Sequence, residues 1–279
     1  MLAALALLAA AALVGVQWAR RSADRREAAA AWAALAGTAP QHPACFDPAL
    51  VAGLPEPARR YFDFVIQPGA RLGTVVEISM EGELALGTKA SPRYQPMRAQ
   101  QVLAAPHGLV WRVEAGSGLL RVAGSDAMIG SRSWTRFWVL GVLPVVRAGG
   151  DAAHLRSSAG RVVAEAAFWS PASLLPGPGI SWSFVDADTA RATVALGGWN
   201  QPVDIHVNAQ GQPLWVSIPR WSNANPEGVF RVQPFGGELS DFRTVAGYRL
   251  PFRVDGGNFF GTPEYFPFYR ARVLSMRVL

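Results

Sequence analysis

The sequence predicts a mainly β protein, in which a curved, half-barrel-like antiparallel sheet is covered by one or two helices and preceded by an N-terminal transmembrane helix. An uncharged apolar run at residues 1–19 predicts the helix. Alternating apolar and polar residues predict the strands, which recur about every 8–12 residues with Gly, Asn or Asp between them. The expected divisions are an anchor at 1–19, a juxtamembrane helix and Pro-containing linker at 20–53, and one β-rich domain at 54–279.

The N-terminal run is long enough to cross the roughly 30 Å hydrocarbon layer as a helix. Four arginines follow it within residues 20–26, so the first expected partner is the lipid bilayer. Two other interpretations stay open: a cleaved secretory signal, and an incorrectly assigned start codon that hides an upstream basic region. The Ala-rich segment 28–35 favours helix, so the spanning helix is expected to continue to Ala36, about 50 Å in all.

Lys and Arg residues beside a span mark its cytoplasmic side. The arginines at 20–26 therefore favour a cytoplasmic domain, whereas the carrier analogy given below favours an extracytoplasmic one. Cys45 is the only cysteine. It lies too far beyond the apolar run to accept a lipid, and a single cysteine excludes an internal disulfide.

The domain begins with a short helix near residues 54–65, with prolines in its first turn. A longer helix is predicted at Asp151–Trp169, and the apolar segment 137–146 before it is interpreted as either a buried strand or a lid. Strands are predicted at 74–86, 97–104, 108–114, 119–123, 182–185, 190–196, 203–208, 213–218, 229–234, 238–243, 248–254 and 269–278.

One face of the second-half strands is uniformly apolar and must be covered by another layer. Its members are Ala190, Ala192, Val194, Leu196, Val203, Ile205, Val207, Leu214, Val216 and Ile218. The predicted helices are the natural cover.

The block Arg161–Pro176 resembles the central signature of an uncharacterised family of bacterial membrane-tethered proteins, which shows an Arg, then Leu-Ala-Glu-Ala, an aromatic Trp-x-Pro and a Leu-Leu-Pro ending. The resemblance covers roughly residues 54–278 and implies a tethered domain without supplying an activity. Val162-Val163 and the aromatic insertion at 259–265 depart from the pattern. Further matching segments lie at 54–57, 60–61, 141–146, 190–192, 219–221, 241–242, 247–251 and 266–270.

A weaker, fold-level analogy is to the half-barrels that carry lipids or lipoproteins in the bacterial envelope. On this basis the leading hypothesis is non-catalytic binding or carriage of an apolar, lipid-like ligand between the sheet and its covering helix. The hypothesis predicts a continuous apolar cavity that opens near residues 134–146 or 258–268.

Eight residues are candidates for the ligand site. Arg161 and Glu165 lie four residues apart and share a helix face, either as a polar anchor for a ligand or as a structural ion pair. Arg220 and Asp241 lie at predicted strand ends and are expected to face each other, again as a site or as a salt bridge. The full set is Arg161, Glu165, Trp169, Trp182, Arg220, Asp241, Phe266 and Tyr269.

Two other classes of function stay open. An enzyme would use Glu165, Asp241 or the acidic strand face of Glu77, Glu81 and Glu83, whose spacing suits a hydrolase pair. An assembly subunit would instead dock a protein partner through aromatic side chains such as those of Phe266 and Phe268, which alternatively rim a cavity or close the core.

The sequence shows no catalytic or cofactor-binding motif that we recognise. The four histidines lack the spacing of metal ligands, so no metal or cofactor is expected. Arginines are interleaved with acids along the strands, a distribution that is not typical of a nucleic-acid surface.

Overall fold

The structure is a computed structural model that describes residues 1–279. Three α-helices and thirteen strands follow one another along the chain. The helices are α1 (Leu2–Ala36), α2 (Glu56–Val65) and α3 (Ala152–Trp169). The strands are β1 (Val75–Ala85), β2 (Tyr94–Ala104), β3 (Gly108–Ala115), β4 (Val122–Ile129), β5 (Arg132–Val139), β6 (Leu143–Gly149), β7 (Ile180–Asp186), β8 (Thr189–Leu196), β9 (Trp199–Val207), β10 (Pro213–Ser222), β11 (Arg231–Val245), β12 (Tyr248–Asn258) and β13 (Phe266–Val278).

All thirteen strands form one open, curved antiparallel sheet, which confirms the predicted fold class. The strand order is β6-β5-β4-β3-β2-β1-β13-β12-β11-β10-β9-β8-β7. Each strand therefore pairs with its neighbours in the chain, except that β1 joins β13 in the middle of the sheet. The two edge strands, β6 and β7, are consecutive in sequence, and α3 connects them across the concave face.

Helix α3 packs on the concave face, as expected for the cover. Most of its second half is buried, including Val162, Val163 and Trp169. Gly160 permits the close approach, because a Cβ atom there would lie 3.1 Å from Gln201 Oε1 and 3.3 Å from Ile218 Cδ1. The main hydrophobic core lies between the sheet, α3 and α2.

Three strand predictions need correction. The strand predicted at 119–123 begins only at Val122, because Gly118–Leu120 form a short 3-10 turn, and β5 was missed. The strands predicted at 229–234 and 238–243 are one strand, β11, in which Gly236 and Gly237 pair across the ladder instead of turning. Leu214 leaves the predicted apolar face, since a bulge shifts the register between Pro213 and Trp215.

The segment 137–146 is neither a buried strand nor a lid. It forms the hairpin that joins β5 to β6, and every residue of the edge strand β6 is exposed. Leu143 and Val145 on this edge are therefore exposed apolar side chains, although their sequence pattern is typical of a covered segment.

Helix α1 is a single helix that continues to Ala36, as predicted, and its second half belongs to the domain. Ala28, Ala31 and Leu35 are buried against the outer, convex face of the sheet. Small alanine side chains let the helix lie close to the strands. By contrast, the apolar segment at residues 2–19 is long enough to cross a membrane and is not buried by the domain.

The N-terminal part of α1 extends beyond one end of the sheet. Arg21 Nη1 donates a hydrogen bond to the carbonyl oxygen of Gly141, in the β5–β6 turn. Successive register pairs place the β3–β4 turn at this same end. We call it the anchor-proximal end. Exposed leucines gather in its turns: Leu86, Leu119, Leu120, Leu140 and Leu143.

Candidate functional site

A buried polar cluster lies where α3 crosses the concave face. Arg161 Nε lies 2.6 Å from Glu165 Oε1, and Arg161 Nη1 lies 2.6 Å from Asp126 Oδ2 on β4. The amide of Gln101 on β2 accepts a hydrogen bond from Arg161 Nη2 at 3.2 Å and donates one to Glu165. The predicted Arg161–Glu165 ion pair is thus present, and it ties α3 to two strands.

The electrostatics of this cluster favour charged Arg161. Burial alone lowers the pKa of the Arg161 guanidinium, but Glu165 and Asp126 outweigh burial and raise that pKa above its ordinary value. Both carboxylates have close partners. Removing Arg161 would therefore strand two partly buried acids in the interior.

Arg220 reaches the same region from β10, and its environment is different. Its guanidinium carbon lies 4.6 Å from the ring centre of Phe235. Its Nε atom is buried and has no hydrogen-bond partner. Burial, followed by repulsion from Arg161, lowers the pKa of Arg220 to about 10. This is the one strongly perturbed cation of the concave face that the protein leaves without a partner.

Aromatic side chains complete the site. Trp111 stacks edge-on against Tyr269 with ring centres 6.2 Å apart, and the Arg161 guanidinium lies 5.3 Å from the Trp111 ring. Tyr269 donates to Met80 Sδ at 2.8 Å, and burial raises the pKa of its hydroxyl. We call this set the concave cluster: Gln101, Trp111, Asp126, Arg161, Glu165, Arg220, Phe235 and Tyr269.

The structure therefore brings together four of the eight candidates, namely Arg161, Glu165, Arg220 and Tyr269. Sequence reasoning missed the other four members of the concave cluster. The sequence did not indicate Asp126, because the strand predicted at 119–123 ends before this residue. The face of β4 on which Asp126 lies was therefore not predicted.

The remaining four candidates lie elsewhere. Trp169 is buried and donates to the carbonyl oxygen of Pro251 at 3.2 Å. The indole N–H of Trp182 donates a hydrogen bond to the carbonyl oxygen of Leu174. The Trp182 ring packs on Phe62, with ring centres 5.3 Å apart. Both pack at the C-terminal end of α3, away from the concave cluster, so a role for them in ligand binding stays a prediction.

The expected contact between Arg220 and Asp241 is wrong. Asp241 is exposed and pairs with Arg243, its neighbour two positions along β11, at 2.7 Å. Arg220 points to the concave face instead. Phe266 is half-buried beside Tyr94, with ring centres 6.1 Å apart.

The acids considered for catalysis do not converge. Glu77, Glu81 and Glu83 face three arginines of β13 in register across the β1–β13 ladder. Glu165 lies on the concave cluster and Asp241 on the surface, so these acids form three separate groups.

Cavities differ from the predicted arrangement. Between α3 and the sheet there is a cavity of about 120 Å³, lined by Ala105, Val163, Leu174 and Val194 among others. It does not reach the 134–146 or 258–268 segments, and an opening near those segments stays a prediction. The larger cavity, of about 590 Å³, lies on the opposite face of the sheet beside α1.

Comparison with known proteins places the chain in a family. The model of a family of unknown function, DUF6544, matches residues 44–271. The chain belongs to this DUF6544 family. The match begins after α1, includes α2, α3 and strands β1–β12, and ends within β13. No curated protein matches the chain.

Two crystal structures are distantly similar to this DUF6544 protein. One is a LolA superfamily protein from Nitrosomonas europaea, with 11% identity, a TM-score of 0.38, and coverage of 74% of this chain and 86% of that one. The other is a putative outer membrane lipoprotein-sorting protein domain from Vibrio parahaemolyticus, with 10% identity, a TM-score of 0.37, and coverage of 73% and 84% respectively.

Proposed function

We propose that this protein is a membrane-anchored, non-catalytic binding protein for an amphipathic, lipid-like ligand, whose acidic group is held by Arg220 in the concave cluster. The observation that carries the proposal is the buried Nε atom of Arg220, which lacks a hydrogen-bond partner. Leaving a buried donor unsatisfied costs about 1–3 kcal/mol. A carboxylate or phosphate group of a ligand satisfies such a guanidinium by accepting two parallel hydrogen bonds on two of its oxygens.

The apolar part of the ligand has a surface to rest on beside that cation. Phe235 lies under the guanidinium of Arg220, and the paired rings of Trp111 and Tyr269 line the same face. Arg161 is not the anchor in this proposal, because Glu165 and Asp126 already occupy its guanidinium. Its role is to hold α3 on the sheet.

The orientation of the site suits a ligand that comes from a bilayer. If residues 2–19 of α1 cross the membrane, the anchor-proximal end faces the lipid surface, because α1 leaves the sheet at that end beside Gly141. Leu119 and Leu120, each about four-fifths exposed, then point at the membrane. Arg220 lies two residues from the end of β10 that faces this side.

Binding requires α3 to shift. The interior cavity of about 120 Å³ is smaller than the roughly 300–1,000 Å³ of typical ligand pockets. The ligand therefore displaces part of α3 from the concave face, and the Arg161 ion pairs return the helix when the ligand leaves.

The test is native mass spectrometry of the full chain, extracted in mild detergent. The wild type is expected to carry an acidic amphiphile that Arg220→Met lacks. Arg249→Met is the matched control, since Arg249 also lies over a phenylalanine ring, Phe64, but is exposed on the outer surface. Equal ligand content in both variants, or none in the wild type, contradicts the proposal.

A further inference from the structure

The larger cavity is a groove between α1 and the outer face of strands β1–β5, with a volume of about 590 Å³. We call it the outer groove. Arginines dominate its lining, while its only acids are Asp24 and Glu114. The lining arginines are Arg21, Arg25, Arg98, Arg112 and Arg136.

The two acids do not neutralise these arginines. Asp24 is shared between Arg136 and an arginine outside the lining, Arg147, at 3.0 and 2.6 Å. Glu114 pairs with Arg121, which also lies outside the lining, at 3.3 Å. The acids of the groove are thus largely committed to their own partners.

Four of the five lining arginines form no salt bridge, and of these Arg21 donates to the carbonyl oxygen of Gly141. Arg25 and Arg98 are exposed, and neither forms a salt bridge. Arg112 donates only to the backbone oxygen of Ala28, at 3.0 Å, and lies 4.8 Å from the ring centre of Trp32. Burial, followed by repulsion from Arg25, lowers the pKa of Arg112. Arg98 lies opposite Glu81 and Glu114 in the strand ladders, but these acids pair with Arg272 and Arg121.

The groove begins where the candidate span ends. Arg21 and Arg25 follow Ala19 by about 3 and 9 Å along the helix axis. The headgroup layer on each side of a bilayer is about 5–8 Å thick. Part of the lining is apolar, with Ala29, Ala123 and Leu274 beside the arginines. A group bound here would thus meet both cations and apolar side chains.

We propose that the outer groove binds a phosphate group, presented either by an anionic phospholipid headgroup or as free phosphate. Guanidinium groups recognise phosphate oxygens with paired, charge-assisted hydrogen bonds. The site is separate from the concave cluster, since the sheet lies between them, and it does not depend on the function proposed for Arg220.

The test uses the full chain in a nonionic detergent, titrated with dihexanoyl-phosphatidylglycerol and, separately, with inorganic phosphate. Binding is followed by the fluorescence of tryptophan, because Trp138 lines the groove and Trp32 lies over Arg112. The test variant is R25Q/R98Q. The matched control is R26Q/R93Q, which removes two exposed arginines of the same helix and strand region that do not line the groove.

The wild type is expected to bind the phosphatidylglycerol probe saturably, and R25Q/R98Q is expected to weaken that binding by about tenfold or more. The control should stay within about twofold of the wild type. Preference for the lipid over inorganic phosphate assigns the site to a headgroup, and equal binding assigns it to free phosphate. Equal affinities of the two double variants overturn the proposal. R220M is titrated in parallel: the part of the signal that R220M removes belongs to the concave cluster and the part that it keeps belongs to the outer groove, so the two sites are read separately.

Discussion

The guanidinium of Arg220 lies 4.6 Å from the ring centre of Phe235, and its buried Nε atom makes no hydrogen bond. Its neighbour Arg161, in contrast, has close contacts with two carboxylates. The concave face thus holds one arginine with two carboxylate partners and one without a partner, which we propose binds the ligand. Substitutions separate these two roles.

Replacing Arg220 with methionine is expected to leave the fold intact. The variant loses an unsatisfied buried donor, so the free energy of unfolding should stay level or rise by about 1 kcal/mol. Thermal unfolding of the ligand-free protein measures this change in the free energy of unfolding. Because burial lowers the pKa of Arg220 to about 10, its unfavourable contribution is present at neutral pH and is relieved only above that value. A large loss of stability would show that Arg220 is structural.

Replacing Arg161 with methionine should have the opposite effect. Glu165 and Asp126 would lose their common partner, and breaking a buried pair in this way costs about 3 kcal/mol. The measurement is unfolding by denaturant, in which the midpoint should fall while the dependence of the free energy of unfolding on denaturant concentration stays unchanged. A variant as stable as the wild type would mean that the ion pairs do not hold α3 to the sheet.

The docking of α1 depends on Asp24. Its carboxylate accepts hydrogen bonds from Arg136, Arg147 and Trp138, the last at 3.0 Å. Asp24→Asn removes the charge and is expected to cost about 2–3 kcal/mol. The loss should appear as faster hydrogen exchange in residues 24–36, with little change in β7–β12. Uniform loss of protection over the whole chain would contradict this localisation.

Acid should loosen the same helix. Arg277, followed by Trp32, stabilises the carboxylate of Glu77 and lowers its pKa. The stabilisation is present above the ordinary glutamate pKa of about 4.3 and is lost as the pH falls through the lowered value. Trp32 fluorescence should therefore shift below about pH 4. Glu77→Gln should abolish this shift, and an identical acid transition in that variant would exclude Glu77 as its cause.

The exposed leucines of the anchor-proximal end should contact lipid. For this test Cys45 is replaced by serine and a spin label is attached at position 120. In reconstituted membranes, oxygen dissolved in the bilayer is expected to collide with this label. A label at position 210, in the exposed turn between β9 and β10 at the other end of the sheet, serves as the control. Equal accessibility of both labels to a water-soluble relaxant would contradict the proposed orientation.

Much of the fold follows from local patterns, and the errors have physical causes. Alternation predicted most strands, and the four-residue spacing predicted the Arg161–Glu165 pair. The exposure of β6 depends on which strand ends at the sheet edge, and this is a property of the whole topology. The same limit applies to Arg220, whose direction is set by the register of β10, whereas Asp241 found a closer partner in Arg243.

The position of α1 was the least predictable feature. Its alanines are buried on the convex face, but an Ala-rich helix shows little contrast between its faces, so the pattern carries no sign of the side that packs. The polar contacts of Asp24 connect elements more than a hundred residues apart in the chain, beyond the reach of any local signal.

The most direct test of the central claim is photo-crosslinking of a diazirine-bearing fatty acid to the full chain in membranes, followed by peptide mapping. We predict labelling of the peptides that contain Trp111, Phe235 and Tyr269, and loss of that labelling in Arg220→Met but not in Arg249→Met. Labelling confined to α1 and the exposed turns, with the concave peptides unmodified in the wild type, would contradict the account.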